Sequence, residues 1–227
     1  MISGRTKLVG IIGNPVEHSM SPAMQNAAFA ARALDWAYVP LLVEGGRVEA
    51  ALEGLVALGF AGANVTAPHK AEAARLTDTE LDSVNTLIVR DGRVEGHSTD
   101  TAILDGLPAE RPAILGAGGA AAAFRTALPH ARVFSRRGEW PPEVADADLV
   151  VHATSARDEV LVDLTAGQTL IDLPYPETAT GRAAREAGAT VIDGREVLVA
   201  QGAAAFELWT GTPAPVEVMR AAVGLRA

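Results

Sequence analysis

The sequence predicts an α/β protein built from two successive strand–helix arrays, each forming an open sheet. Three observations point there. Short β-branched runs alternate with helical patterns along the chain, the order that builds parallel sheets covered by helices. A glycine-rich turn, Gly116-Ala117-Gly118-Gly119, stands between a strand pattern and a helix pattern. Polar residues collect at strand ends in the first half, where open α/β sheets place their ligands.

In chain order, Leu8–Ile12 reads as a strand ended by Gly13-Asn14-Pro15. Ser21-Pro22 opens a helix, with Ser suited to the N-cap and Pro to the first helical position. Met24, Ala27, Ala28, Ala31 and Leu34 recur at helical spacing and are expected to face the core. A strand over Tyr38–Val43 precedes a helix over Arg47–Leu58, with Val48, Leu52, Leu55 and Val56 on one stripe. Gly62–Val65 is a strand and Pro68–Leu76 a helix. Asp91-Gly92 between two strand runs is a type I′ hairpin signal. A helix from about Asp100 to before Pro108 marks the domain boundary. Strands then follow at Pro112–Leu115, Arg132–Ser135, Asp148–Ala153, Thr169–Leu173 and Thr190–Asp193, with helices at Gly119–Leu128, Thr178–Ala187, Arg195–Trp209 and Val216–Val223. The expected domains are 1–100, with 201–227 packing back on it, and 101–200.

Composition narrows the function classes. Hydrophobic residues make up 48% and charged residues 21% of the 227, ordinary globular usage that argues against disorder. No stretch approaches a membrane span, and the first residues lack a signal-peptide pattern, so the expected location is the cytoplasm. A formal net charge of −9 argues against nucleic acid or an anionic membrane as partner. There is no cysteine, hence no disulfide framework and no thiolate nucleophile. The five histidines show no metal-ligand spacing, so no metal is expected; His69 and His97 fit a supporting or solvated role. A small-molecule substrate is the expected partner, for a monomer or a homodimer.

Gly116, Ala117, Gly118, Gly119 and Ala120 sit where backbone amides at a helix N-terminus can approach a pyrophosphate, which requires that side chains be absent. The bland alternative is a tight turn closing a strand–helix unit. The end of the next strand, Ser135-Arg136-Arg137, carries guanidiniums where an NAD site would place a carboxylate. Arg's planar fork suits a 2′-phosphate, so NADP is the expected cofactor, with Arg137 equally readable as a solvated side chain. The second half is thus a Rossmann-like, doubly wound NADP-binding domain.

In the first half, Ser19 and Ser21 place two hydroxyls beside a helix N-terminus, an arrangement that can hold a carboxylate. Ser21 also fits a plain N-cap. Asn64 and Thr66 share one face of a strand end, with Lys70 on the turn that follows; Asn85 and Asp100 lie at the other strand ends. The chain has 17 arginines and only two lysines, Lys7 and Lys70. A lysine can release a proton near neutral pH when its surroundings lower its pKa, and an arginine cannot, which makes Lys70 a candidate for chemistry. Taken alone, it also reads as a surface lysine.

These stretches resemble the motifs of shikimate dehydrogenases: Gly13-Asn14-Pro15 with His18-Ser19-Met20-Ser21-Pro22, Gly62 to Lys70, Val84-Asn85-Thr86-Leu87, Thr99-Asp100, Gly116 to Ala120, His152-Ala153-Thr154-Ser155 and Val199-Ala200-Gln201. The resemblance spans nearly the whole chain. It implies NADP-dependent, reversible reduction of 3-dehydroshikimate to shikimate in aromatic amino-acid (chorismate) biosynthesis. It further implies that Ser19 and Ser21, helped by Tyr175, bind the substrate carboxylate. Asn64, Thr66, Asn85, Asp100 and Gln201 would read the ring, Lys70 and Asp100 would form the catalytic pair, and Thr154 would join the cofactor site.

The chain departs from the family pattern at four places. Ser135-Arg136-Arg137 stands where the family has Asn-Arg-Thr at the phosphate site. Gly96-His97-Ser98-Thr99-Asp100-Thr101 replaces the usual surroundings of the aspartate. The segment between Ser135 and Asp148, with Pro141-Pro142 inside it, is too short for a helix and a further strand, so the cofactor domain is expected to be trimmed. Glu196 stands where the family has a glycine near the nicotinamide. The alternatives are therefore a relative acting on quinate, and a non-catalytic or weakly active relative that keeps the acid site.

Overall fold

A computed structural model of the protein describes residues 2–225. Contacts divide the chain into Met1–Thr99 with Val199–Ala227, and Asp100–Leu198.

In the first unit, Lys7–Gly13 forms β1, and its pleat sends Leu8 and Ile12 to one face and Val9 and Ile11 to the other. Strands β2 (Trp36–Leu42) and β3 (Gly62–Val65) pair parallel to β1 on either side. Antiparallel β4 (Thr86–Arg90) and β5 (Arg93–His97) complete the sheet in the order β2-β1-β3-β4-β5. Asp91 and Gly92 both take positive φ, 52° and 76°, as the hairpin signal requires. Because β4 runs against β3, its first residues lie at the carboxyl end of β3, so Asn64 pairs with Thr86 and Thr86 with His97. One face carries α2 (Val48–Ala57) and α3 (Lys70–Arg75), where Leu52, Leu55, Ala73 and Ala74 meet Ile12, Ala63, Val65 and Leu87.

Helix α1 (Ser21–Ala31) differs from its sequence reading. Met20 is the N-cap and Ser21 the first helical residue, with no side-chain cap. The buried face is Ser21, Met24, Gln25, Ala28 and Phe29, while Ala31 is exposed. The reason is non-local. The Gln25 amide donates to the Gly202 carbonyl at 2.9 Å, and Phe29 stacks on Phe206 with centroids 5.4 Å apart, both partners lying in α6 (Gly194–Thr210). Helix α7 (Val216–Ala222) also packs against α1.

The second unit opens with a correction. The helix expected from Asp100 is a single 3₁₀ turn, Ala102–Leu104. Gly106 at φ 78° and Pro108 end it before a second turn can form. Strands β6 (Pro112–Leu115), β7 (Arg132–Phe134), β8 (Leu149–His152), β9 (Thr169–Asp172) and β10 (Thr190–Asp193) form an all-parallel sheet in the order β7-β6-β8-β9-β10. Helix α4 (Gly119–Ala127) covers one face, where Ala121 and Phe124 pack with Ile114, Val151 and Ile171. Helix α5 (Ala179–Glu186) lies on the other, capped by Thr178, whose hydroxyl accepts from the Gly181 amide at 3.1 Å. No helix or strand stands between β7 and β8 among the described residues. Val144, Ala147, Val162 and Leu164, from connecting segments, fill the face beside Leu115, Val150 and Leu170 instead. No helix among the described residues is long and apolar enough to cross a membrane.

Candidate active site

The polar strand ends of the first unit are tied into one buried hydrogen-bond cluster centred on Asn85, which is 2% exposed. Its side-chain carbonyl accepts from the Thr99 amide at 2.7 Å and the Thr86 hydroxyl at 3.1 Å. Its amide donates to the Thr99 hydroxyl at 3.0 Å and to the Gln201 side-chain carbonyl at 3.2 Å. Gln201 is thereby drawn from α6 to the ends of β3 and β4. Asn64 donates its amide group to both the Asn85 carbonyl (3.0 Å) and the Thr86 hydroxyl (3.1 Å), and accepts from the Tyr38 phenol at 2.8 Å. Both amide hydrogens of Asn64 are thus engaged within the protein, leaving a lone pair on its oxygen.

Tyr38 is not among the site residues that the sequence indicates. It is 2% exposed, and burial pushes its phenol well above the ordinary tyrosine value, with a hydrogen bond to the Ser21 side chain pulling the other way. The only local signal for it is a tyrosine at an inward position of β2. Ser21 is buried, and its amide donates to the Ser19 hydroxyl oxygen at 3.2 Å, which leaves the half-buried Ser19 hydroxyl its own proton. Thr66 is half-buried just past β3, its amide bonded to the Ile12 carbonyl at 2.8 Å. Lys70 is the half-buried first residue of α3, and its carbonyl accepts from the Val84 amide at 3.1 Å, next to Asn85. Asp100 directly follows Thr99 and is half-buried. His69 is 1% exposed and bonds the Val43 carbonyl at 2.7 Å, a supporting role.

In the second unit, a cavity of about 530 Å³ lies at the carboxyl ends of β7, β6 and β8. The chain leaves β6 for β7 on one side and returns to β8 on the other, so this is the switch point at which open α/β sheets bind ligands. Gly116, Ala117, Gly118, Ser135, Arg136, Arg137 and Thr154 all line it. Gly116 has φ 123°, and a Cβ there would come within 2.5 Å of the Ala153 carbonyl, so the fold itself requires glycine. A Cβ on Gly118 or Gly119 would meet no protein atom within 4 Å. The bare backbone at these two positions is not demanded by neighbouring protein and suits a group lodged at the N-terminus of α4, as a pyrophosphate would be. Gly119 and Ala120 begin α4 behind that turn.

The Arg136 guanidinium pairs with Glu159 and lies 5.7 Å from the centre of the Trp140 ring. Neither Glu159 nor Trp140 is signalled by the sequence as part of the site. Tyr175 follows β9 in this unit and is half-buried; burial pushes its phenol up, with Arg157 opposing. Glu196 occupies the first turn of α6, where a carboxylate is favoured by the helix dipole. Beside it, Asp193 accepts from the Arg195 amide at 2.7 Å and its guanidinium at 2.9 Å. Burial pushes the Asp193 carboxyl up, but the Arg195 hydrogen bonds outweigh it and hold the group below the usual range.

Comparison with known proteins points to one family. Residues 11–87 match the family model described as shikimate dehydrogenase substrate binding domain, and residues 194–223 the one described as shikimate 5'-dehydrogenase C-terminal domain. The chain is 40% identical to the shikimate dehydrogenase (NADP(+)) of Anaeromyxobacter sp. (strain Fw109-5), over 98% of each chain. The solved shikimate dehydrogenase from Aquifex aeolicus superposes with a TM-score of 0.89 at 31% identity, covering 99% of this chain and all of that one. That from Thermus thermophilus, in complex with NADP(H) and shikimate, gives 0.86 at 27% identity, covering 96% and 98%.

Proposed function

Since this chain belongs to the shikimate dehydrogenase family, we propose that it catalyses the NADP-dependent, reversible interconversion of 3-dehydroshikimate and shikimate in aromatic amino-acid biosynthesis. We place it in the cytoplasm. The observation that carries the substrate half is the Asn85 cluster, which gathers Asn64, Thr86, Thr99 and Gln201 at the carboxyl end of β3 although Asn85 and Gln201 are 116 residues apart.

In this reading the Ser19 hydroxyl donates to the substrate carboxylate, with Ser21 and Tyr175 assisting. Thr66, Asn85, Asp100 and Gln201 hold the ring hydroxyls, and Asn64 offers its remaining lone pair while bracing Asn85 and Thr86. In the oxidation direction the substrate hydroxyl gives its proton to the Lys70 amine as hydride leaves the same carbon. Asp100 orients Lys70. The nicotinamide of NADP⁺, when bound, supplies the hydride acceptor. Gly116, Ala117 and Gly118, with Gly119 and Ala120 opening α4, would hold the pyrophosphate, while Ser135, Arg136 and Arg137 would hold the 2′-phosphate. The comparisons do not favour the non-catalytic alternative raised by Glu196, and that residue has an ordinary place in a helix N-terminus.

Cofactor selectivity tests the assignment of the second unit. Arg136→Ala is expected to raise KM for NADP⁺ by roughly 10- to 150-fold, the range for a charge-assisted hydrogen bond, and to leave KM for NAD⁺ little changed. Glu159 competes with the 2′-phosphate for the same guanidinium. Glu159→Gln should therefore tighten NADP⁺, by less than about five-fold because the pair is exposed. Equal losses for both cofactors in Arg136→Ala would show that Arg136 supports the fold and does not read the phosphate.

A further inference from the structure

His152 and Asp172 are 0% and 1% exposed, yet neither has a part in the chemistry above. His152 Nδ1 lies 2.7 Å from Asp172 Oδ1, and its Nε2 lies 2.7 Å from the Thr154 hydroxyl, which lines the cavity. Asp172 is held in turn by the Thr178 amide at 3.0 Å to Oδ2 and by the Thr178 hydroxyl. The three side chains form a line from the carboxyl end of β9 across that of β8 to the cavity wall.

We propose that His152 and Asp172 are positioning residues that fix the hydrogen-bond polarity of Thr154, making it an acceptor that reads a donor on the nicotinamide half of the cofactor. The proposal rests on the cofactor reading of the cavity. Asp172 takes the Thr178 amide on Oδ2, the Thr178 hydroxyl reaches both of its oxygens, and a carboxylate oxygen facing the ring can only accept, so the imidazole proton sits on Nδ1. Nε2 is then an acceptor, and the bond to Thr154 must use the threonine's only proton. One lone pair of the Thr154 oxygen takes the Ala156 amide at 3.1 Å. What remains toward the cavity is a single lone pair.

That polarity decides what Thr154 can hold. Phosphate oxygens are acceptors and are refused, while a hydroxyl or an amide N–H is accepted. The sheet order says which end of the dinucleotide supplies it. The end of β7 carries Arg136 and β8 lies on the opposite side of β6, so Thr154 faces the half of the ligand beyond the pyrophosphate. The donors there are the carboxamide N–H of nicotinamide and the hydroxyls of its ribose.

Two measurements on the full chain test this. In the first, NADP⁺ and its 3-acetylpyridine analogue, which lacks the carboxamide N–H, are titrated calorimetrically into wild type, Thr154→Val and Thr154→Ser. Thr154→Val is expected to bind NADP⁺ about three- to ten-fold more weakly, the effect of one neutral hydrogen bond, and Thr154→Ser to recover it. If wild type discriminates against the analogue and Thr154→Val does not, the donor is the carboxamide; if both ligands weaken alike, it is the ribose. Unchanged NADP⁺ affinity in Thr154→Val would overturn the proposal. In the second, nitrogen NMR of the imidazole whose resonances shift in Thr154→Val reads the tautomer without any cofactor. An Nδ1–H tautomer in wild type is expected; an Nε2–H or doubly protonated ring would overturn the relay. Failure of wild type to bind NADP⁺ at all would instead remove the cofactor reading and the donor assignment together, whatever the tautomer.

Discussion

Replacing Lys70 with alanine is expected to lower kcat for shikimate oxidation by roughly 10²- to 10⁴-fold, the usual contribution of a positioned proton-transfer group. KM for shikimate should change far less, because the bonds that join Asn85 to Thr99 and Gln201 remain in place. Lys70→Arg should fail to restore the rate. A guanidinium keeps its charge but holds its proton too tightly to take part near neutral pH. Steady-state kinetics of the three proteins decides the matter: a Lys70→Ala variant with near-wild-type kcat would move the proton transfer to another group.

Asn85→Ala is expected to weaken both the fold and substrate binding. The truncation leaves the Thr99 amide and the Gln201 carbonyl oxygen without their Asn85 partner, and removes an acceptor from Thr86. An unsatisfied buried polar group costs ~1–3 kcal/mol, so a total of about 3 kcal/mol is a conservative expectation. For a chain of this size that corresponds to a fall in Tm of roughly 6–12 °C. At a temperature where the variant remains folded, KM for shikimate should rise because Gln201 loses its hydrogen bond from Asn85 at the strand ends. Thermal unfolding followed by circular dichroism measures the first effect and kinetics the second. An unchanged Tm would show that water replaces Asn85 without cost and that the cluster is not the organising element of the site.

Local chemistry makes much of this architecture legible in the sequence. The Asp91-Gly92 turn can be read because positive φ at both central residues admits few dipeptides. The alternating runs of β1, β3, β6 and β9 and the glycine turn before α4 are equally direct. The face of α1 is not legible, because Gln25, a polar residue, is buried by a bond to a carbonyl 177 residues away. Helical periodicity after Asp100 loses to Gly106 and Pro108, which leave room for one 3₁₀ turn only. Ser21 has the residue type of a cap, whereas Met20 holds that position.

The candidate site divides in the same way. Ser19, Asn64, Thr66, Lys70 and Asn85 lie in short motifs whose residue types declare a purpose. Tyr38 beneath Asn64, Glu159 against Arg136 and Asp172 behind His152 are contacts between distant segments, and composition or spacing gives no sign of them. Asn64 and Asn85 both read as ligand contacts in the sequence. In the structure the amide hydrogens of Asn64 are engaged with Asn85 and Thr86, and those of Asn85 with Thr99 and Gln201, so each also shapes the site.

Oxidation of shikimate with NADP⁺ is tested most directly on the purified full-length protein. Incubation with shikimate and NADP⁺, following formation of the reduced cofactor by absorbance, is the measurement, with NAD⁺ and quinate as parallel arms. Sustained turnover with shikimate and NADP⁺ is expected, with slower turnover for NAD⁺ and loss of the reaction in Lys70→Ala. Absence of reduced cofactor under these conditions, from a folded protein that binds both ligands, would contradict the assignment.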